Sequence, residues 1–278
     1  MKPLLFFALI SLLTACGGGG GGDGAATPVP APPASTVTPP AIQTSTVNWS
    51  LSRVSPAEAD TTVNAVEAIL DHVFGDAAVQ SAMLVKDGYI VGERYAEGID
   101  ANTLGTSWSV AKSYYSAAVG IAVDEGWISS LDQPASDFFT EWEGSSKSDI
   151  TIRDLLEMRS GLPASSRIFF AADQTAFSLD LNKTRPEGGT FVYSNPTSQL
   201  FEPLLLRSTG LDAHSYLRQK LLSPIGIDVD QIGMWRDAVG NPVTYFGLDL
   251  RPEDMARFGL LYARGGEWDG TQVVSESY

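Results

Sequence analysis

The chain has 278 residues, and 18 Lys and Arg against 33 Asp and Glu give it a formal net charge of −15 at pH 7. Because a polyanion needs a positive field to bind, this balance excludes nucleic acid as a partner. Cys16 is the single cysteine, which excludes an intrachain disulfide and a Cys-rich zinc site, and two histidines, His72 and His214, argue against a multi-histidine metal site. With 44% hydrophobic and 18% charged residues, the composition is that of a folded protein.

The amino-terminal segment predicts export and a lipid anchor. Residues 1–15 run from a lysine through an apolar core to small residues, the layout of a signal peptide. The stretch Leu13-Thr14-Ala15-Cys16 resembles the lipobox of bacterial lipoproteins, which implies cleavage before Cys16 and its lipidation; the alternative is a buried free cysteine. Several acyl chains give stable anchoring. By the same resemblance, Gly17 favours the outer membrane of a bacterial cell envelope, with the protein facing the periplasm or the exterior.

A tether follows the predicted lipidation site. Residues 16–48 contain six consecutive glycines, Gly17 to Gly22, and then many prolines among Ala, Thr and Ser. A segment of this composition has almost nothing to bury, so we expect a disordered spacer. The folded domain is predicted to occupy residues 49–278.

The first predicted elements are a helix and a hairpin. Apolar residues recur at helical spacing through Thr61 to Phe74, which predicts an amphipathic helix with His72 on its solvated face. Two apolar, β-favouring runs, Ser81 to Lys86 and Tyr89 to Tyr95, are separated by Asp87-Gly88. This dipeptide between such runs is the strongest short-range signal of a β-hairpin.

The later chain is predicted to be mainly helical. Residues 108–126 are apolar on nearly every face, which predicts a buried central helix that stops at Gly126. Thr151 and Asp154 are spaced as a capping box before a short helix that ends at Gly161. Further helical runs are predicted at Ser198 to Ser208 and Ala213 to Leu222. The order of elements indicates an α+β fold.

The first chemical motif is Ser109-Val110-Ala111-Lys112, at the start of the predicted buried helix. Residues i and i+3 share a helix face, so the amine of Lys112 can reach the hydroxyl of Ser109. A helix amino terminus favours negative charge developing at Ser109, and a desolvated Lys112 loses affinity for its proton and can act as a base. No G-x-S-x-G nucleophile elbow occurs in the sequence. Alone, a Ser-x-x-Lys spacing is weak support, since a surface lysine is the plainer interpretation.

The second motif is Tyr193-Ser194-Asn195. It occurs once in the sequence, and alone it is better explained by a packed tyrosine than by a catalytic one. Together, with the first motif at the start of a buried helix, the two motifs favour a catalytic interpretation over a structural one.

The two motifs and four longer blocks resemble the serine β-lactamase and penicillin-binding-protein superfamily, in its class C-like branch. The blocks are SVAKSYYSAAVGIAVDEGWISSLDQPASDFF, ITIRDLLEMRSGL, FVYSNPTSQLF and LRPEDMARFGLLYARGGEWDGTQVVSESY, so the resemblance runs from about residue 79 to the end. The blocks are most similar to nylon-oligomer hydrolases and class C-like esterases. The resemblance implies a β-lactamase/transpeptidase-like fold, an antiparallel sheet with flanking helices plus a mainly helical region.

The same resemblance implies roles for the site residues. Ser109 would be the acylated nucleophile, Lys112 its base partner, Tyr193 the residue that relays a proton to the leaving group, and Asn195 a substrate-binding residue. Which of Lys112 and Tyr193 is the base in each step stays open. No cofactor or metal is implied.

The sequence departs from the family in its third motif. The family carries Lys-Thr-Gly or His-x-Gly on a C-terminal strand that supplies one of two oxyanion N–H groups, and no such motif follows Asn195. We therefore expect a domain truncated at its C-terminus, with strands of the family's sheet missing.

The function predicted from these residues is hydrolysis of a small-molecule ester or amide through a Ser109 acyl-enzyme. Two alternatives stay open: a non-catalytic envelope lipoprotein that binds peptide or cell-wall fragments, and a true β-lactamase or D-peptidase. Six aromatic residues could line a pocket, but core positions are commoner for such residues, so no role is assigned to them: Trp108, Trp142, Phe169, Phe170, Trp235 and Tyr245.

Overall fold

The computed structural model describes residues 49–278. The predicted signal peptide, the lipidation site Cys16 and the predicted tether at 16–48 lie outside these residues. In chain order the helices are α1 (Val63–Val73), α2 (Ala111–Asp124), α3 (Ile152–Leu156), α4 (Gln174–Leu179), α5 (Asn195–Gln199), α6 (Phe201–Thr209), α7 (Ala213–Leu217) and α8 (Pro252–Ala263). The strands are β1 (Ser81–Lys86), β2 (Tyr89–Tyr95), β3 (Gly105–Thr106), β4 (Gly233–Met234), β5 (Leu248–Leu250), β6 (Glu267–Trp268) and β7 (Thr271–Gln272).

Strands β1 and β2 form the predicted antiparallel hairpin, with Lys86 paired to Tyr89. Asp87 and Gly88 both have positive φ, 53° and 81°, as a two-residue type I′ turn requires. Helix α1 packs on this hairpin so closely that a Cβ on Gly92 would lie 2.3 Å from a methyl carbon of Val66. Glycine is therefore required where helix and sheet meet.

Helix α2 is the centre of the core, as its apolar sequence predicts. Buried residues occur on every side of it, including Tyr114 and Tyr115. Gly126 follows the helix with φ of 78°, the left-handed conformation that commonly ends helices. The prediction of a buried central helix that stops at Gly126 is confirmed.

Helix α3 begins at the predicted capping box, in which Thr151 and Asp154 bond each other's backbone N–H groups. The predicted end at Gly161 is wrong, because the helix ends at Leu156 and the chain turns at Met158, whose φ is 54°. This turn lets the Met158 carbonyl accept a hydrogen bond from Val192 N at 2.9 Å. It thereby ties α3 to the segment that precedes Tyr193.

A small antiparallel sheet of order β3-β5-β4 joins the two halves of the described chain. Strand β3 leads into the turn that carries Ser109, so this sheet positions the start of α2. Helices α5 and α6 cover the predicted helical run at 198–208, and α7 continues into a π-helical turn at Arg218–Leu222. The combination of small antiparallel sheets and helices confirms the α+β prediction.

Within residues 49–278, the helices are all too short or too polar to cross a bilayer.

Candidate active site

Ser109 lies in a tight helical turn, Trp108–Val110, between β3 and α2. Ser107 N donates to the Leu248 carbonyl at 2.8 Å, which joins this turn to β5. Trp108 has a φ of 45°, a left-handed conformation that is strained for a bulky side chain. The Trp108 ring stacks on Phe246, with centroids 6.3 Å apart. The strained turn presents the Ser109 side chain at the surface.

Lys112 points its amine toward Ser109 from the first turn of α2. Its Nζ lies 3.2 Å from Ser109 Oγ and donates to the Tyr245 carbonyl oxygen at 2.9 Å. The Lys112 side chain is buried, and its Nζ is 5.0 Å from the centre of the Tyr193 ring. The spacing predicted from the sequence therefore brings the amine and the hydroxyl together.

Burial lowers the pKa of Lys112, because the charged ammonium loses hydration that its surroundings only partly replace. The hydrogen bond and the charge of Tyr193 act in the opposite direction and raise the pKa of Lys112. An amine with a lowered pKa is unprotonated more of the time near neutral pH, so it can accept a proton there.

Tyr193 reaches the same place from a different part of the chain. The Ser194 hydroxyl accepts from Thr197 N at 3.2 Å and caps α5, and Pro196 lies in the first turn of that helix. Both features favour a helix start at this position. The Tyr193 side chain therefore stands just outside α5, and it is 50% exposed.

Burial raises the pKa of Tyr193, but hydrogen bonds with Ser109 and Lys112 and the positive charge of Lys112 outweigh it, so the net pKa lies below its usual value. The pKa of the Tyr193 phenol and the pKa of the Lys112 amine thus depend on each other. Coupled groups of this kind titrate as a pair.

Asn195 follows at the first residue of α5. Its Oδ1 is buried and has no hydrogen-bond partner within residues 49–278. An unpartnered buried amide oxygen is costly to the folded state, and a ligand that donates a hydrogen bond would satisfy it.

The Tyr245 carbonyl, which accepts a hydrogen bond from Lys112, is a part of the candidate site that the sequence did not reveal. Its segment is held by α5, since Thr244 Oγ1 donates to the Ser198 carbonyl at 2.8 Å and Gln199 Nε2 to the Pro242 carbonyl at 2.8 Å. The Tyr245 hydroxyl donates to Gln174 Oε1 at 3.0 Å. These bonds hold the backbone that orients Lys112. A main-chain oxygen has no side-chain signature in a sequence.

Exposed aromatic side chains surround Phe246 beside this centre. Trp108, Phe169 and Trp235 all contact the Phe246 ring, at centroid distances of 6.3, 5.7 and 5.4 Å. All three are about half exposed, and the neighbouring Phe170 is 89% exposed. We call these four exposed residues the aromatic rim.

The six aromatic positions noted in the sequence thus divide. Trp142 and Tyr245 are buried, as expected of core residues, whereas the four residues of the aromatic rim are exposed.

The structure therefore brings Ser109, Lys112 and Tyr193 together, and Asn195 follows Tyr193 at the start of α5. Their roles stay predictions, as does the lipidation of Cys16. His72 is exposed on α1, as predicted, and His214 is buried on α7. In the described part of the chain, no three His, Cys, Asp or Glu side chains come together in a way that could hold a metal ion.

The Beta-lactamase family model matches residues 66–275, well over half of the chain. No curated protein matches the sequence. A solved structure described as a 6-aminohexanoate-dimer hydrolase from Bacillus anthracis is similar with 19% identity and a TM-score of 0.64, over 76% of this chain and 60% of its own.

Two further solved structures are similar in fold. One is the octameric penicillin-binding protein homologue from Pyrococcus abyssi, with 21% identity and a TM-score of 0.60 over 78% of this chain and 58% of its own. The other is a class C beta-lactamase, with 18% identity and a TM-score of 0.60 over 80% of this chain and 69% of its own. The chain spans less than two thirds of the length of the first two of these three structures. From the family match and the shared fold, the chain belongs to the Beta-lactamase family, within the serine β-lactamase and penicillin-binding-protein superfamily that its motifs resemble.

Proposed function

We propose that this protein is a serine hydrolase that cleaves esters or linear amides through an acyl-enzyme on Ser109. The observation that carries the proposal is the placement of the buried Lys112 amine 3.2 Å from the exposed Ser109 hydroxyl, with Tyr193 interacting with both residues. A nucleophile beside a base, with a third group that interacts with both, is the arrangement that nucleophilic catalysis needs.

In the first step, Ser109 Oγ attacks the substrate carbonyl carbon and its proton passes to the pair formed by Lys112 and Tyr193. The oxygen of the tetrahedral intermediate gains negative charge. The Ser109 backbone N–H, at the start of a helical turn, is a donor for that oxygen. When the intermediate collapses, the pair returns the proton to the departing alcohol or amine, and the acyl group stays on Ser109.

In the second step, water takes the place of the alcohol. The pair removes a proton from water as the water oxygen attacks the acyl carbon, and it then returns that proton to Ser109 Oγ. The products are a carboxylic acid and the free enzyme, so protons and bonds balance over the cycle.

The aromatic rim supports a substrate with apolar groups. The exposed rings of Trp108, Phe169 and Trp235 contact Phe246. Phe246 directly follows Tyr245, whose carbonyl accepts a hydrogen bond from Lys112. Burying such rings against an acyl chain or an alcohol group is favourable by about 25 cal/mol per Å² of apolar area. We therefore propose apolar esters ahead of charged peptides.

The test is hydrolysis by the full chain of three substrates: a short-chain p-nitrophenyl ester, an aminohexanoate dimer and a chromogenic cephalosporin. We expect turnover of the ester, and a lower kcat/KM for the other two. Turnover of the cephalosporin in preference to the ester would replace the proposed substrate class by β-lactams. Tight binding of cell-wall fragments with no turnover and no covalent adduct would replace the enzyme by a binding protein.

A lipid anchor at Cys16 completes the proposal, with the protein held on a bacterial outer membrane through acyl chains. It is supported by the resemblance of residues 13–16 to a lipobox. The test is the membrane fraction of cells that express the full chain or Cys16→Ser. We expect the cysteine protein to sediment with membranes and the variant to be released; equal distribution of the two would contradict the anchor.

A further inference from the structure

A cavity lies apart from the candidate active site around Ser109. It has a volume of about 410 Å³ and is lined by His214, Ser215 and Arg218 from the α7 region and by Ile232, Met234 and Arg236 around β4. Alternate residues of an extended segment point to opposite faces. The last three therefore share one face of this segment, while Trp235 of the aromatic rim lies on the other.

His214, one of the residues that line this cavity, carries a buried polar atom without a hydrogen-bond partner in the described part of the chain. The side chain is only 4% exposed, and its Nε2 has no hydrogen-bond partner within residues 49–278. The Val243 backbone raises the pKa of His214; because Nε2 is without a partner in that range, we assign this contact to the other ring nitrogen, Nδ1, as a donor to the Val243 carbonyl. Nε2 is therefore left as a buried lone pair in the neutral ring.

Two guanidinium groups supply positive charge. Arg218 Nε donates to the Met234 sulfur at 3.2 Å, and no carboxylate of residues 49–278 lies within ion-pair distance of it. Arg236 reaches the Asp212 carboxylate at 3.4 Å and the Gly240 carbonyl at 2.9 Å. Two positive charges thus face one negative charge at this cavity, in a protein whose net charge is −15.

We propose that this cavity binds a small organic anion, a carboxylate or a phosphate monoester, whose oxygens contact Arg218, Arg236 and His214 Nε2. The planar fork of a guanidinium pairs with two oxygens of either group. The volume is in the range of small-molecule sites, and the accessible lining is predominantly polar, which suits an anionic group. The site stands independently of the proposed hydrolase activity.

Binding is coupled to proton uptake. Burial, the charge of Arg236 and the smaller effect of Arg218 hold the pKa of His214 near 4, against the opposing charge of Asp212. Tyr115 of α2 packs on the ring at 6.2 Å and is neutral, because burial raises its pKa well above the usual range. A bound anion neutralises the charges of Arg218 and Arg236, so the pKa of His214 rises. A hydrogen bond between Nε2 and an oxygen of the anion also requires a proton on Nε2. Affinity therefore rises as pH falls.

The experiment is isothermal titration calorimetry with benzoate, phenyl phosphate and the neutral benzyl alcohol. We expect at least one of the two anions to bind, with an affinity at least tenfold higher than that of the alcohol. Arg218→Gln should weaken the anion at least tenfold, while the matched surface control Arg153→Gln, which loses an exposed ion pair with Asp132, should not. A preference between the two anions identifies the ligand as a carboxylate or a phosphate.

Titrations in two buffers of different ionisation enthalpy measure the proton uptake. We expect uptake of a fraction of a proton per bound anion at pH 6.5, tighter binding at pH 5.5 than at pH 8, and loss of both effects in His214→Gln. Equal binding of the alcohol, unchanged anion affinity in Arg218→Gln, or no saturable binding of either anion would overturn the proposal. Ester hydrolysis by Arg218→Gln serves as the check on its fold.

Discussion

Two buried lysines of this protein share nearly every property except one. Lys112 is 8% exposed and Lys147 is 9% exposed. Burial is the main cause that lowers the pKa of each. Each amine lies over an aromatic ring, at 5.0 Å from the Tyr193 centre and 4.9 Å from the Trp142 centre. Each also donates to a backbone carbonyl, that of Tyr245 or of Leu179.

The difference is what lies next to the amine. Lys112 has the Ser109 hydroxyl at 3.2 Å and the phenol of Tyr193. The Lys147 amine donates to the Leu179 carbonyl, which also accepts a hydrogen bond from Trp142 Nε1. The charges of Asp180 and Glu141 partly offset the lowering of the Lys147 pKa by burial. Burial and a lowered pKa thus describe a structural lysine as well as a base. In the proposed mechanism, the neighbouring hydroxyls of Ser109 and Tyr193 distinguish the Lys112 amine from that of Lys147.

The largest expected effect comes from removing the proposed nucleophile, the hydroxyl that lies 3.2 Å from the Lys112 amine. Ser109→Ala should reduce kcat/KM for a p-nitrophenyl ester by about 10⁴-fold or more, since a covalent nucleophile has no substitute in the site. The matched control is Ser113→Ala, an exposed serine one turn later on α2, which should keep wild-type activity. An active Ser109→Ala protein would contradict the acyl-enzyme.

The comparison itself is tested by replacing each lysine with methionine. Lys112→Met should lower kcat by about 10³-fold, in the range of a lost general base. Lys147→Met should keep kcat within about threefold, because its amine contacts no nucleophile. Steady-state kinetics of the two variants, with circular dichroism as a fold check, decide the matter. Equal losses would mean that both lysines act through stability.

Tyr193→Phe tests whether Lys112 and Tyr193 transfer the proton as a pair. We expect kcat/KM to fall by about 10²-fold and the pH profile to change. Activity is lost on the acid side as the pair becomes fully protonated. Tyr193 raises the pKa of Lys112, so without the phenol that pKa falls and the acid limb moves to lower pH. A limb that stays in place or moves to higher pH would assign the titration to another group.

How far the sequence predicts the molecule depends on how local each cause is. The hairpin at Ser81–Tyr95 has the predicted bounds because Asp87-Gly88 takes positive φ values that few other dipeptides allow. Helix α2 is predicted because its own residues are apolar on every face. The Ser109 and Lys112 contact is predicted because three residues of helix bring them together.

Several features that depend on distant segments were not predicted. Lys147 stands among Ser and Asp residues and reads as a surface lysine, yet it is buried against the Leu179 carbonyl. The contact between Lys112 and Tyr245 uses the backbone carbonyl of Tyr245, which the residue type does not reveal. The end of α3 at Leu156 depends on the bond between Met158 and Val192. Each of these is set by packing between elements far apart in the chain.

The smallest expected effect is on substrate preference. Phe169→Ala removes a ring of the aromatic rim that contacts Tyr245 and Phe246. We expect KM for a butyryl ester to rise about threefold to tenfold, from lost apolar contact, with KM for an acetyl ester changed less. A matched change for both esters would place the effect of Phe169 on the backbone that holds Lys112.

The most direct test of the central claim is the rate of covalent labelling by a fluorophosphonate serine probe, followed by intact-protein and peptide mass spectrometry. We expect one adduct, on the Ser109 peptide, formed equally fast in the wild type and Lys147→Met, at least about 10²-fold more slowly in Lys112→Met, and absent in Ser109→Ala. Labelling of another serine, or Lys112→Met labelled as fast as the wild type, would contradict it.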